Sequence, residues 1–130
     1  MKYAPAFFKR NEFACPCCGL QYISAALVFH LDMLRRAWGA PVFINSGYRC
    51  AKHNYEVKGA ATSRHTIGCA ADIRTDSSLE FKLFASFVQR LFNRPEWEFI
   101  QYAGGYLHVA VPRAERERLW EKESIDVNFS

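Results

Sequence analysis

The stretch SRHTIGCAAD, Ser63 to Asp72, sets one histidine and one aspartate seven residues apart, with Gly68 and three small residues between them. Its end, AADIR, reads as a short strand whose alternation sends Ile73 one way and Asp72 the other. Further on, YLHVAV sends Leu107, Val109 and Val111 to one face and His108 to the opposite one. Ala70 and Ala110 leave space beside these polar side chains. Together the two segments describe a sheet with an apolar underside and a small-walled cleft on top.

The rest of the chain supplies what such a sheet needs. Ile23, Leu27, Leu31, Leu34 and Trp38 recur at helical spacing, with Gly39 as the residue after the helix and Pro41 as its stop. VFIN reads as a strand feeding the turn SGYR, and residues 50–57 as a brief helix. Ser77 followed by Glu80 matches a capping box, and Leu83, Phe84, Phe87, Val88 and Leu91 give the next helix one apolar face up to Pro95. WEFIQY and YLHVAV form a hairpin about AGG. A charged surface helix is expected over Glu115–Lys122, followed by a tail. Helices interleaved with short strands and a closing hairpin predict a small α+β domain with an antiparallel sheet. No repeat or linker divides the chain, so residues 1–130 read as one domain, with a core of about 13–111 and a charged extension over 112–130.

Half of the 130 residues are hydrophobic and 20 are aromatic, enough for a real core. The net charge of +4 is scattered rather than striped, which argues against nucleic acid as a partner. The N-terminus shows no secretory signal, and no window has the length of a membrane span. The expectation is a monomer synthesised in the cytoplasm.

Five cysteines, an odd number, do not suit a complete disulfide framework. Cys15, Cys17 and Cys18 crowd into CPCCG. They read as small buried hydrophobes about a tight Pro-Cys turn. The alternative is a four-thiolate zinc site in which Cys50 and Cys69 complete the pair Cys15 and Cys18.

Two histidines and a carboxylate make a zinc set that leaves a fourth place for water or substrate. His65 on its glycine-containing loop, Asp72 on a strand and His108 on a neighbouring strand are the candidates. Structural roles compete with this. His65 can cap a loop, Asp72 can pair with Arg74 or Arg64, and His108 can be a satisfied core histidine. His30, between Leu27 and Leu31, reads as a core or edge histidine, and His53 borders the cleft.

The residues of SRHTIGCAAD resemble the S-x-H-x-x-G-x-A-x-D signature of the zinc D-Ala-D-Ala carboxypeptidase family, matched at Ser63, His65, Gly68, Ala70 and Asp72. INSGYRCAKHN resembles the segment that carries the family's substrate-binding arginine, here Arg49. GYLHVAV resembles the segment with the last zinc histidine, here His108. The similarity runs from about Phe13 to Val111, and EFACPCCG resembles the opening of phage-encoded members. The resemblance implies a hedgehog/DD-peptidase fold, one catalytic Zn2+ on His65, Asp72 and His108, and peptidoglycan stem peptides or cross-links as substrate. It implies a zinc-activated water as nucleophile, with Arg49 on a substrate carboxylate or the developing oxyanion. Ser63 and Tyr106 join Arg49 as substrate-binding candidates, while Ser63 and Tyr48 also suit loop support.

One departure stands out. Many members carry a catalytic acid three residues before the final histidine, where this chain has Gly105, and Tyr106 stands where some have a histidine. Glu98, on the preceding strand, is the candidate base in its place. The expected activity is therefore a zinc metallopeptidase of carboxypeptidase or endolysin type, phage- or prophage-encoded, released on lysis or carried in a virion. The alternatives are a catalytically silent zinc-bearing wall-binding or phage structural module, and a cysteine–zinc interaction module built on CPCCG.

Overall fold

The apolar period that starts at Ile23 becomes helix α1, Ala25–Trp38, in the computed structural model, which describes residues 2–121 and 125–126. Ile23 itself stays outside the helix, because Ser24 takes the cap position and its Oγ accepts from the Leu27 N–H at 3.4 Å. Gly39 closes the helix in a left-handed conformation (φ +80°). Two further helices follow, α2 over Ala51–Glu56 and α3 over Phe81–Phe92.

Six strands are present among the described residues: β1 Lys2–Tyr3, β2 Val42–Ser46, β3 Ala70–Thr75, β4 Glu98–Tyr102, β5 Tyr106–Ala110 and β6 Ile125–Asp126. Four of them form one antiparallel sheet in the order β2-β3-β5-β4. Asp72 pairs directly with His108 and Ala70 with Ala110, while Ile73 pairs with Leu107 and Ala71 with Val109. Directly opposed residues share a face, so this register gives the sheet one polar and one apolar side. On the underside Ile73, Leu107 and Val109 join Leu27, Leu31 and Leu34 of α1 and Phe84, Val88 and Phe92 of α3 in a single core. All nine are fully buried, each contributing about 1.5–3 kcal/mol by transfer from water. The fold is thus α+β, as its patterning predicts.

Two expected elements differ. Ser77 makes no side-chain cap bond; residues Ser78–Glu80 form a 3-10 turn, and α3 begins only at Phe81. The Ser77 N–H, which the Glu80 carboxylate of a capping box would take, is donated instead to Thr75 Oγ1 at 3.0 Å. The expected helix over Glu115–Lys122 is a 3-10 turn, Arg113–Glu117, followed by a bridge between Leu119 and Ser24. Trp120, 6% exposed, draws the chain back onto the core before a helix can propagate. Lys122 lies outside the described residues. The strands β1 and β6 pair with each other as a second, two-stranded sheet.

Gly68 connects the fold to the polar side. It takes φ +74°, and a Cβ there would stand 2.6 Å from the Tyr22 carbonyl oxygen. Its own carbonyl accepts from the Ser24 N–H at 2.7 Å, so the start of α1 leans on the loop that carries His65.

Candidate metal centre

His65 lies in a 3-10 turn, Arg64–Ile67, that Ser63 caps through an Oγ accepting from the His65 N–H at 3.3 Å. Ser63 therefore shapes the loop. The imidazole is buried, and its Nδ1 lies 2.7 Å from the Gly47 carbonyl oxygen. A carbonyl only accepts, so Nδ1 carries the proton and Nε2 is left with a lone pair. That lone pair points at Asp72 Oδ1, 3.1 Å away.

His108 repeats the arrangement with its nitrogens exchanged. Its Nε2 lies 2.8 Å from Glu98 Oε1 and its Nδ1 lies 3.2 Å from the same Asp72 Oδ1. With Nε2–H donated to the glutamate, Nδ1 presents a lone pair to the aspartate. Two nitrogen lone pairs and a carboxylate oxygen face one another, all within 4.8 Å. Acceptors that face acceptors repel unless a proton or a cation stands between them. Two imidazoles and one carboxylate are the nitrogen and oxygen donors that suit zinc, and each imidazole is fixed from behind by a second acceptor. The set fits a metal ion.

The ionisation of these groups points the same way. Burial alone would push the Asp72 carboxyl up, but the facing His108 and His65 rings, which can share a proton with it when no ion stands between them, outweigh it and hold it well below the usual carboxylate range. Burial would lower His108, yet its bonds to Asp72 and Glu98 raise it, so without an ion the ring holds a second proton on Nδ1, in the place an ion would take. Asp72 is thus a carboxylate at any ordinary pH, as a ligand must be.

Arg49 approaches the other oxygen of Asp72. Its Nη2 is 3.3 Å from Oδ2, its Nε 3.3 Å from Ser46 Oγ and its Nη1 3.4 Å from Asn54 Oδ1. The pairings of Asp72 with Arg64 or Arg74 that spacing allows are replaced by this one. Arg64 faces Glu98 at 3.6 Å, and Arg74 donates to Asn45 at 3.0 Å. Glu98 lies on the sheet face of His108, since Glu98 pairs with Ala110 and Ile100 with His108. Its carboxylate reaches the outer nitrogen of the His108 ring, with the imidazole between it and Asp72. Tyr106 shares that face and packs on Tyr102, ring centroids 4.9 Å apart. His30 is a helix-edge histidine, its Nδ1 2.7 Å from the Ala26 carbonyl oxygen and its ring against Trp97.

Gly105, in place of the usual acid, sits in the β4–β5 turn with φ +83°. The space around it is open, but a side chain at that φ would be strained, so an acid at this position calls for a different turn.

Three contributors escape sequence reading. Gly47 supplies the carbonyl that sets the His65 tautomer, and a Cβ there would stand 2.6 Å from Phe13 Cα. Asn54, 5% exposed, braces Arg49 and donates Nδ2–H to the Ala60 carbonyl at 2.9 Å. Gly59 leaves room for that brace, since a Cβ would meet Asn54 Oδ1 at 2.1 Å. Among their signals only the glycine of SGYR, beside the arginine, stands out in the sequence.

An antiparallel sheet that brings two imidazoles and a carboxylate to one point, with an arginine alongside, defines a site able to hold a metal ion. The family model described as Peptidase M15 matches residues 6–109, and the chain belongs to that family, whose members are zinc-dependent metallopeptidases. No curated protein matches the chain. No helix among the described residues is long and apolar enough to cross a membrane.

Proposed function

We propose that this protein is a zinc peptidase hydrolysing peptide bonds in peptidoglycan stem peptides or their cross-links. The observation that carries the reading is the convergence of His65 Nε2, Asp72 Oδ1 and His108 Nδ1 beside the Arg49 guanidinium. His65, Asp72 and His108 would hold the ion. When bound, it supplies a Lewis acid that polarises a carbonyl and activates water. Gly47 and Glu98 keep the protons of His65 and His108 on the outer nitrogens, so that the inner ones are free to ligate. Arg49 presents a planar fork to a substrate carboxylate or the developing oxyanion, and Ser63 and Tyr106 border the position where a peptide would lie. A monomer acting on the cell wall, phage- or prophage-encoded and released on lysis or carried in a virion, suits this substrate.

The test is the release of amino groups from purified peptidoglycan. It should be abolished by a chelator and restored by zinc. Release that survives complete removal of the metal would sink the peptidase assignment. A protein fully loaded with zinc that binds peptidoglycan and cleaves nothing would instead favour the silent wall-binding module, the reading that Gly105 at the acid position supports.

The role of Glu98 has its own experiment. Its place on His108 Nε2 favours ring positioning over the proton acceptance expected from sequence. Losing an outer carboxylate weakens metal affinity by about 10–100-fold. Glu98→Ala should show that loss, with activity recovered by added zinc, while Glu98→Gln keeps an acceptor and most of the affinity. If both variants keep zinc bound and lose about 10²–10⁴ in turnover, Glu98 is the proton acceptor.

A further inference from the structure

The cysteines of CPCCG lie apart from the histidine site and are unused by it. All five cysteines are free thiols, and Cys69 is buried in the core, out of the four-thiolate set that spacing allows. Cys15, Cys18 and Cys50 instead converge, their sulfurs all within 4.8 Å of one another. The turn that achieves this is built for it. Gly19 takes φ +76° and donates to the Cys15 carbonyl at 2.8 Å, and the Cys15 N–H returns to the Leu20 carbonyl at 2.8 Å. That closed loop folds Cys18 back over Cys15. Cys50 arrives from the far side of the chain, at the head of α2.

We propose that Cys15, Cys18 and Cys50 form a second metal site, for a soft divalent ion such as Zn2+, that pins the N-terminal turn to the loop carrying Arg49. The spacing is the first support. A tetrahedral ion with Zn–S bonds of about 2.3 Å holds its sulfurs about 3.8 Å apart. The Cys15 and Cys50 sulfurs are 3.7 Å apart, against about 2.05 Å in a disulfide. The second support is the backbone. The Cys50 N–H turns toward the Cys15 sulfur at 3.5 Å, and that of His53 toward the Cys50 sulfur at 3.4 Å. Such N–H donors stabilise thiolates, the form that ligates. Cys17 stands outside this trio, and its thiol, which contacts that of Cys50, is a donor available for the fourth position. With Cys17 as the fourth ligand the shell of thiolates has no open place for substrate, so this ion is structural. Cys50 adjoins Arg49, and the Phe13 carbonyl accepts from the Tyr48 N–H at 2.9 Å, so the clamp fixes the arginine's loop on both sides.

The experiment is metal analysis and cobalt substitution of the purified, reduced full chain. Wild type should carry two zinc ions per chain, and its cobalt form should show a thiolate-to-cobalt charge-transfer band in the near ultraviolet. A site of two histidines and an aspartate cannot give that band. The double variant His65→Ala/Asp72→Ala, with every cysteine intact, should keep one ion and the band, and Cys50→Ser should lose the band. Should Cys50→Ser fail to fold, the wild-type spectrum decides alone. A cobalt form without a sulfur band overturns the site, as does a protein in which two thiols are lost to a disulfide with no metal bound. Neither result bears on the peptidase reading, which rests on the other three ligands.

Discussion

Asp72→Ala should leave the purified protein with one ion fewer per chain than wild type, and with peptide hydrolysis no higher than that of the chelated protein. The expectation follows from how many groups depend on one carboxylate. Oδ1 is the point on which His65 Nε2 and His108 Nδ1 converge, and Oδ2 faces Arg49. Without the carboxylate, two neutral imidazoles are left as ligands, and no negative charge offsets the ion. Stability should fall as well, because Arg49 loses its charge partner in a place where its side chain is only 16% exposed. Breaking a fully buried ion pair costs about 3–5 kcal/mol, and residual exposure of the guanidinium should bring the loss below that. Elemental analysis, a thermal melt and the amine-release assay read the three effects. A variant that keeps its full metal content and its activity would remove Asp72 from the site.

Much of this centre is written locally in the chain. The alternation in AADIR and YLHVAV puts Asp72 and His108 on the polar side and Ile73, Leu107 and Val109 beneath, and the pairing Asp72↔His108 follows from two strands that must both hide their apolar residues. The helix α1 is legible for the same reason, since its apolar period and its end at Gly39 are local signals. What escapes depends on contacts between distant segments. Nothing near Gly47 indicates that its carbonyl will meet a ring eighteen residues on, and Asn54 looks like any polar residue of a short helix until Arg49 folds over it. The Ser77–Glu80 pattern has the right letters for a capping box, but Thr75 competes for the Ser77 backbone. The charged run after Pro112 has helical composition, and the burial of Trp120 overrides it. Glu98 falls between these cases. Its strand and face can be read from the hairpin, while its choice of the outer nitrogen of His108 depends on ring orientation, which no alternation encodes.

Arg49→Lys should lower turnover on peptidoglycan by about 10²–10³-fold, the worth of one well-placed donor to a developing oxyanion, and leave the metal content unchanged. The guanidinium now spans three acceptors, Ser46 Oγ, Asn54 Oδ1 and Asp72 Oδ2, at 3.3–3.4 Å. Those distances are at the long end for charge-assisted bonds, which mostly run at about 2.7–2.9 Å. An arginine placed only to brace the fold would be expected to close on its partners, whereas this one is held in position and loosely engaged. A lysine ammonium is a point charge. It can replace the attraction to Asp72 and cannot also reach Ser46 and Asn54 or offer a substrate two parallel N–H groups. The structural loss is therefore two long hydrogen bonds, each worth about 1 kcal/mol or less, and the melting temperature should drop by only a few degrees. Activity should thus fall far more than stability does. Unchanged turnover together with a large fall in melting temperature would make Arg49 a structural residue. Its contact with Asp72 would then serve only to hold the carboxylate in place for the ion.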